Sequence, residues 1–130
     1  MRFLKKLILF AFGGGAYVVL ELLWRGRSHR SMFLAGGLCF LLLGGLSKAR
    51  PRLPWPLRGF VGAGIITAVE LLTGLVFNRS YSVWDYRELP LHYHGQICLP
   101  FYFLWVPVSF LGMGLYALAE KYLEKWQRFL

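Results

Sequence analysis

The chain has 130 residues, of which 57% are hydrophobic, 18% aromatic and only 16% charged, with a net charge of +9. That is too apolar for an ordinary soluble domain and fits a single transmembrane domain over residues 1–130. The basic residues flank apolar segments instead of forming one stripe, which excludes a nucleic-acid partner and matches membrane topology and lipid headgroups.

Met1-Arg2-Phe3-Leu4-Lys5-Lys6 followed by an apolar run imitates a signal peptide. The run continues to Trp24 without a small-x-small cleavage site, so it is read as a retained span over about residues 5–27. A second apolar segment covers residues 31–49, a third 57–77 and a fourth 96–119. Each has roughly the 20 residues a helix needs to cross a bilayer. Between the second and third, Pro51, Pro54 and Pro56 make a stiff connector, because proline removes backbone donors and restricts the residue before it. Between the third and fourth, the stretch 78–95 is long and rich in aromatic and charged residues, which predicts a folded functional loop. Pro100 and Pro107 are expected to kink the fourth helix. In the tail, residues 120–130, Tyr122, Leu123, Trp126 and Phe129 alternate with charges at helical spacing. This predicts an interfacial helix extension anchored by Trp126.

An internal repeat runs through these elements. Gly13-x-Gly15-x5-Glu21-Leu22-Leu23 matches Gly62-x-Gly64-x5-Glu70-Leu71-Leu72 at an offset of 49, and Arg30-Ser31 matches Arg79-Ser80. More weakly, Gly36-Gly37-Leu38-Cys39-Phe40 resembles Gly95-Gln96-Ile97-Cys98-Leu99 at an offset of 59. The expected fold is all-α: four transmembrane helices as two helical hairpins, repeat one at about 5–49 and repeat two at about 57–119. The extra residues of the second copy fall in the elaborated loop 78–95.

Arg2, Lys5, Lys6, Lys48, Arg50, Arg52, Arg58, Lys121, Lys125 and Arg128 lie on one side of this layout. Arg25, Arg27, Arg30, Arg79 and Arg87 lie on the other. The positive-inside rule therefore predicts cytoplasmic termini, an extracellular loop 78–95 and parallel repeats about a pseudo-two-fold along the membrane normal.

An acid within hydrocarbon is costly and usually faces a bundle interior or a cavity. Two such acids, Glu21 and Glu70, in copies of one unit point to a shared intramembrane site in a polar, outward-facing cavity. Glu21, Arg25 and His29 recur every four residues and stack on one helical face, as a functional cluster or as a structural ion pair. Glu70 has Gly74 where a base would stand, so it is either protonated or paired with Arg25, Arg27, Arg79 or Arg87. Thr67 and Thr73 are candidate hydrogen-bond donors to it. In the loop, Trp84, Asp85, Tyr86 and Arg87 are read as a lid over the helix mouths, with Asp85 and Arg87 paired into the neighbouring arginines. Gln96 is placed to cap the fourth helix or enter the cavity. His92 and His94 lack a third ligand at fixed spacing, so no metal is assigned. The cysteines Cys39 and Cys98 form no Cys-x-x-Cys pair; ordinary packing or a disulfide would both fit their positions. No Walker A or Gly-x-Ser-x-Gly motif is present, and no cofactor is indicated.

The strings Glu21-x-x-Trp24-Arg25-Gly26-x-Ser28-His29-x-Ser31-Met32-Phe33, Gly36-Gly37-Leu38-Cys39-Phe40, Glu70-Leu71-x-Thr73-Gly74, Val83-Trp84-Asp85-Tyr86 and Gly95-Gln96-Ile97-Cys98-Leu99 occur in this order. Together they resemble the bacterial membrane-protein family "Putative ABC-transporter type IV", over about residues 13–118. The resemblance implies a small multi-pass protein of the bacterial cell membrane, with transport as the expected activity. Its recurrent positions fall on Glu21, Arg25, Ser28, His29, Glu70, Thr73, Trp84, Asp85, Tyr86 and Gln96. An ABC permease needs an ATPase and a cytoplasmic coupling element. Here that side offers only the proline-rich connector and the tail, so the sequence does not support an ATPase partner.

Three functions compete on this reading. One is a permease-like protein binding or translocating a polar solute or lipid headgroup. Another is a membrane-embedded enzyme acting on lipid headgroups at the outer leaflet, with His29, Glu70, Asp85 and His94 as acid–base groups. The last is an assembly subunit whose glycine-rich faces form a homo- or hetero-oligomer interface.

Overall fold

The structure, a computed structural model, describes residues 2–26, 28–49, 53–81 and 83–128; the side chains of Arg2, Arg25 and Gln127 lie outside that description. Four α-helices dominate: α1 (Arg2–Arg25), α2 (Arg30–Lys48), α3 (Trp55–Phe77) and α4 (Leu99–Gln127). All four are long and apolar enough to cross a membrane, so the chain is a multi-pass membrane protein. Their polar backbone is satisfied internally, as hydrocarbon requires.

α1 packs along α2, and α3 along α4; α2 also touches both α3 and α4, while α1 and α4 make few contacts. Small residues set the close approaches. A Cβ on Gly36 of α2 would meet the Tyr17 Cβ of α1 at 2.6 Å, so glycine there lets the Tyr17 side chain seat between the helices. The core falls into three clusters: Leu9, Phe40 and Tyr116; then Leu43, Ala63, Ile66, Trp105 and Met113; then Met32, Val83, Trp84, Tyr86 and Cys98. At the first of these, Lys5 of α1 and Lys48 of α2 both pair with Glu120 of α4, at 3.1 and 2.8 Å, and Lys5 reaches Glu124 at 3.6 Å. These pairs hold three helix ends together.

The tail is a helix extension, as expected, continuing α4 as far as Gln127. Element boundaries depart from the sequence expectation in two places. Pro100 stands in the first turn of α4, where a missing N–H costs nothing, so only Pro107 lies inside that helix. The weak match between 36–40 and 95–99 is not a match of helices. Residues 36–40 lie inside α2, whereas Gly95 has φ +65° and Ile97–Cys98 form β2, which pairs antiparallel with β1 (His92–Tyr93). α4 begins at Leu99, with Cys98 as its extended N-cap and Pro100 in its first turn. The connector residues Arg50, Pro51 and Arg52 lie outside the described residues.

The glycine packing predicts a contrast. Gly36→Ala should lower thermal stability in detergent, because Tyr17 must move. Gly64→Ala meets nothing within 4 Å and should be neutral or slightly stabilising, with up to about 1 kcal/mol of helix propensity gained. Equal melting shifts for the two variants would contradict this packing.

Candidate functional site

The loop between α3 and α4 is organised by Asn78, which is 0% exposed. Its Nδ2 donates to the Trp84 carbonyl at 2.6 Å and to Gln96 Oε1 at 2.8 Å. Its Oδ1 accepts from the backbone N–H groups of Val83 and Trp84 at 2.8 and 3.2 Å. Gln96 Nε2 returns a bond to the Asn78 carbonyl at 3.1 Å, and the Trp84 indole donates to the Gln96 carbonyl at 2.8 Å. A buried amide must satisfy donors and acceptors alike, and this one does. Gln96 therefore neither caps α4 nor enters a cavity; Cys98 is the N-cap and makes no side-chain cap bond. Gly74 is explained here too. A Cβ at that position would collide with Gln96 Oε1 and crowd the Trp84 ring, so the residue is small to admit the loop.

This network delivers Tyr86 to the helices. Its ring stacks on Phe101 of α4 with centroids 4.7 Å apart, and its hydroxyl donates to Glu70 Oε2 at 2.9 Å. Burial, and then the carboxylate beside it, push the Tyr86 phenol above its ordinary range, so it stays a donor. The Trp105 indole N–H faces the same carboxyl group from α4. It does not reach hydrogen-bond geometry, and Glu70 Oε1 and Trp105 Nε1 are both buried without a partner.

Glu70 lies on the wall of a cavity of about 520 Å³. Glu21 and Tyr17 of α1 line the same space, and Tyr17 interacts with both glutamates. Met32, Gly36 and Cys39 of α2 back it, and Trp84 and Tyr86 cover one end. The exposed side chains of Leu20, Leu23 and Trp24 on α1 and of Leu104 and Leu111 on α4 also belong to its rim. The cavity is thus a cleft between α1 and α4 whose rim carries exposed apolar side chains. It is not the polar chamber expected: the lining is mainly apolar, with the polar groups gathered around Glu70. Glu70 is seven residues before the end of α3, about 10 Å, while Glu21 is four before the end of α1, about 6 Å.

The other expected site residues disperse. His29 is the N-cap of α2; its Nδ1 accepts from the Ser31 N–H at 3.1 Å and lies 2.8 Å from Ser31 Oγ, which accounts for the His-x-Ser spacing. Ser28 sits between α1 and α2 with a buried, unpartnered Oγ. Thr73 is half-buried on α3 and lines no part of the cleft; Thr67, the other expected donor to Glu70, has an unpartnered hydroxyl. Asp85 and Arg87 pair with each other at 2.7 Å on the exposed side of the loop, not with neighbouring arginines. Arg87 also lies over the Tyr81 ring at 4.0 Å. The side-chain and backbone hydrogen bonds from Arg87 hold the Asp85 carboxyl down at about 2, so the pair persists above the ordinary carboxylate range and is lost only as pH falls through that value. His94 has φ +51° in the β1–β2 turn, its carbonyl accepting from the Tyr81 hydroxyl. Arg25 ends α1, and its side chain, like Arg27, lies outside the described residues. Among the described residues no arginine pairs with Glu70; its donor is Tyr86. Cys39 and Cys98 are both free. No group of three metal-ligating side chains occurs among the described residues.

Sequence reasoning missed Tyr17, Trp105 and Asn78. Tyr17 is four residues before Glu21, a legible one-turn spacing. Trp105 and Asn78 carry no local signal, since their partners come from other elements.

Fold and site define a small four-helix membrane protein with an amphipathic cleft reaching into its spans. A family model matches residues 2–129, and the chain belongs to that family, "Putative ABC-transporter type IV". Nothing among curated proteins or solved structures matches it.

The network around Asn78 generates a stability prediction. Asn78→Ala should lower the melting temperature in detergent, at about 1–3 kcal/mol for each buried group left unpaired. Asp85→Asn removes only an exposed pair and should leave melting nearly unchanged. A larger loss for Asp85→Asn would contradict the assigned hierarchy.

Proposed function

We propose that the protein is a permease-like membrane subunit that binds and passes an amphipathic molecule, taken laterally from the bilayer between α1 and α4. One observation carries this reading: an apolar cleft with an exposed apolar rim leads to a buried carboxyl group and its tyrosine donor. A polar solute alone would gain little from the apolar walls, whereas a lipid-like chain replaces one apolar surface with another and keeps its headgroup for Glu70. The volume of about 520 Å³ falls within the roughly 300–1,000 Å³ of small-molecule sites. The transport-related family is in keeping with this role.

The enzyme alternative loses its constellation. Of His29, Glu70, Asp85 and His94, only Glu70 lines the cleft. General acid–base chemistry needs its groups within hydrogen-bond reach of one substrate.

A photoreactive lipid analogue, with the reactive group midway along its chain, tests lateral entry. In proteoliposomes it should label Met32, Cys39 and Leu104, and Ala16→Trp, which fills the cleft from α1, should suppress that labelling selectively. Labelling confined to outward residues such as Phe3 and Val76, unaffected by Ala16→Trp, would refute the reading.

A further inference from the structure

The chemistry around Glu70 goes further than lateral entry and identifies the headgroup. We propose that the closed end of the cleft is a site for a protonated amine on an apolar tail, an alkylammonium amphiphile, with Glu70 as its counter-charge; this rests on the reading of the cleft as an amphiphile site.

Glu70 Oε1 is buried on the cleft wall and accepts no hydrogen bond, while Oε2 is already committed to Tyr86. A carboxylate so placed calls for a donor that carries positive charge. Among the described residues, no lysine, arginine or histidine lines the cleft. Glu21 lines the same cleft. So do Tyr17, Trp84, Tyr86 and Trp105, aromatic side chains of the kind whose ring faces attract cations. Trp105 is 8% exposed, and its indole N–H is unpartnered in the same wall. An anion would meet the Glu70 carboxyl group in low dielectric and could only disfavour its charged form. A neutral headgroup brings no counter-charge, so it gives the buried carboxyl group no reason to ionise. An ammonium with N–H donors satisfies Oε1 directly, which a quaternary ammonium cannot do.

Native mass spectrometry of the purified full chain tests this with four probes sharing one chain length: dodecylamine, dodecyltrimethylammonium, dodecanol and dodecanoate. Dodecylamine should bind most tightly, dodecyltrimethylammonium next, and the alcohol and the carboxylate least. Glu70→Gln should weaken amine binding by about tenfold or more and leave the alcohol unchanged, since a hydrogen bond to a charged group is lost. Trp105→Phe, which keeps the ring and removes the N–H, should retain the preference for amine and shows that the cleft survives substitution. If all four probes bind alike, or if Glu70→Gln affects them equally, the amine site is overturned while the amphiphile cleft stands. If none binds, both are overturned.

Discussion

The buried amide of Asn78 is the constraint on which the rest of the site depends. It follows the last turn of α3, and its own N–H closes that helix on the Gly74 carbonyl at 2.9 Å. From there it bonds to the loop at Trp84 and to the approach of α4 at Gln96. One side chain therefore fixes how α3, the loop and α4 meet. Leaving any of these groups unpaired within an apolar surround would be expensive, so the loop has few alternatives. The loop tolerates positive φ at Tyr81, Leu91 and His94, a backbone state that persists where surrounding contacts over-determine it. The product of this framework is Tyr86, stacked on Phe101 and bonded to Glu70.

Glu70 is where structural economy stops. Two charged networks among the described residues are closed: Lys5, Lys48 and Glu120 tie helix ends together, and Asp85 with Arg87 folds the loop surface. Both can be read as scaffolding. The carboxyl in the cleft has one oxygen held and one unused, beside an unused indole donor. Intramembrane acids are retained for function when their neighbours do not neutralise them. The small residues of α1 and α2 matter here as well, because Gly36 is what lets Tyr17 stand beside the two glutamates. Packing and chemistry share the same residues.

Much of the fold was legible because hydrocarbon imposes simple rules. Four apolar segments of bilayer length became four helices, with ends shifted by a few residues. The pairing of Glu21 with Glu70 across the repeat drew attention to two residues that do line one cleft. The repeat misled further on, at 95–99, where turn and strand replace the helix of 36–40. Similarity of five residues cannot report φ, and Gly95 takes a positive one that the matching helical glycine does not. Charge was the least reliable guide. Arginines near Glu70 in sequence suggested pairing, but Arg87 turns back to Asp85, two residues away, on the loop surface. His29 looked like a mouth residue and is a helix cap. Donors brought from distant elements, Tyr86 and Trp105, could not be read from spacing at all.

The central claim is that Glu21 and Glu70 line a single cleft. Short bifunctional thiol cross-linking tests it directly, in native membranes, on a Glu21→Cys/Glu70→Cys chain whose Cys39 and Cys98 have been replaced by alanine. The account predicts an intramolecular cross-link, blocked when an apolar amphiphile occupies the cleft. Single labelling of each cysteine with no cross-link between them would contradict it.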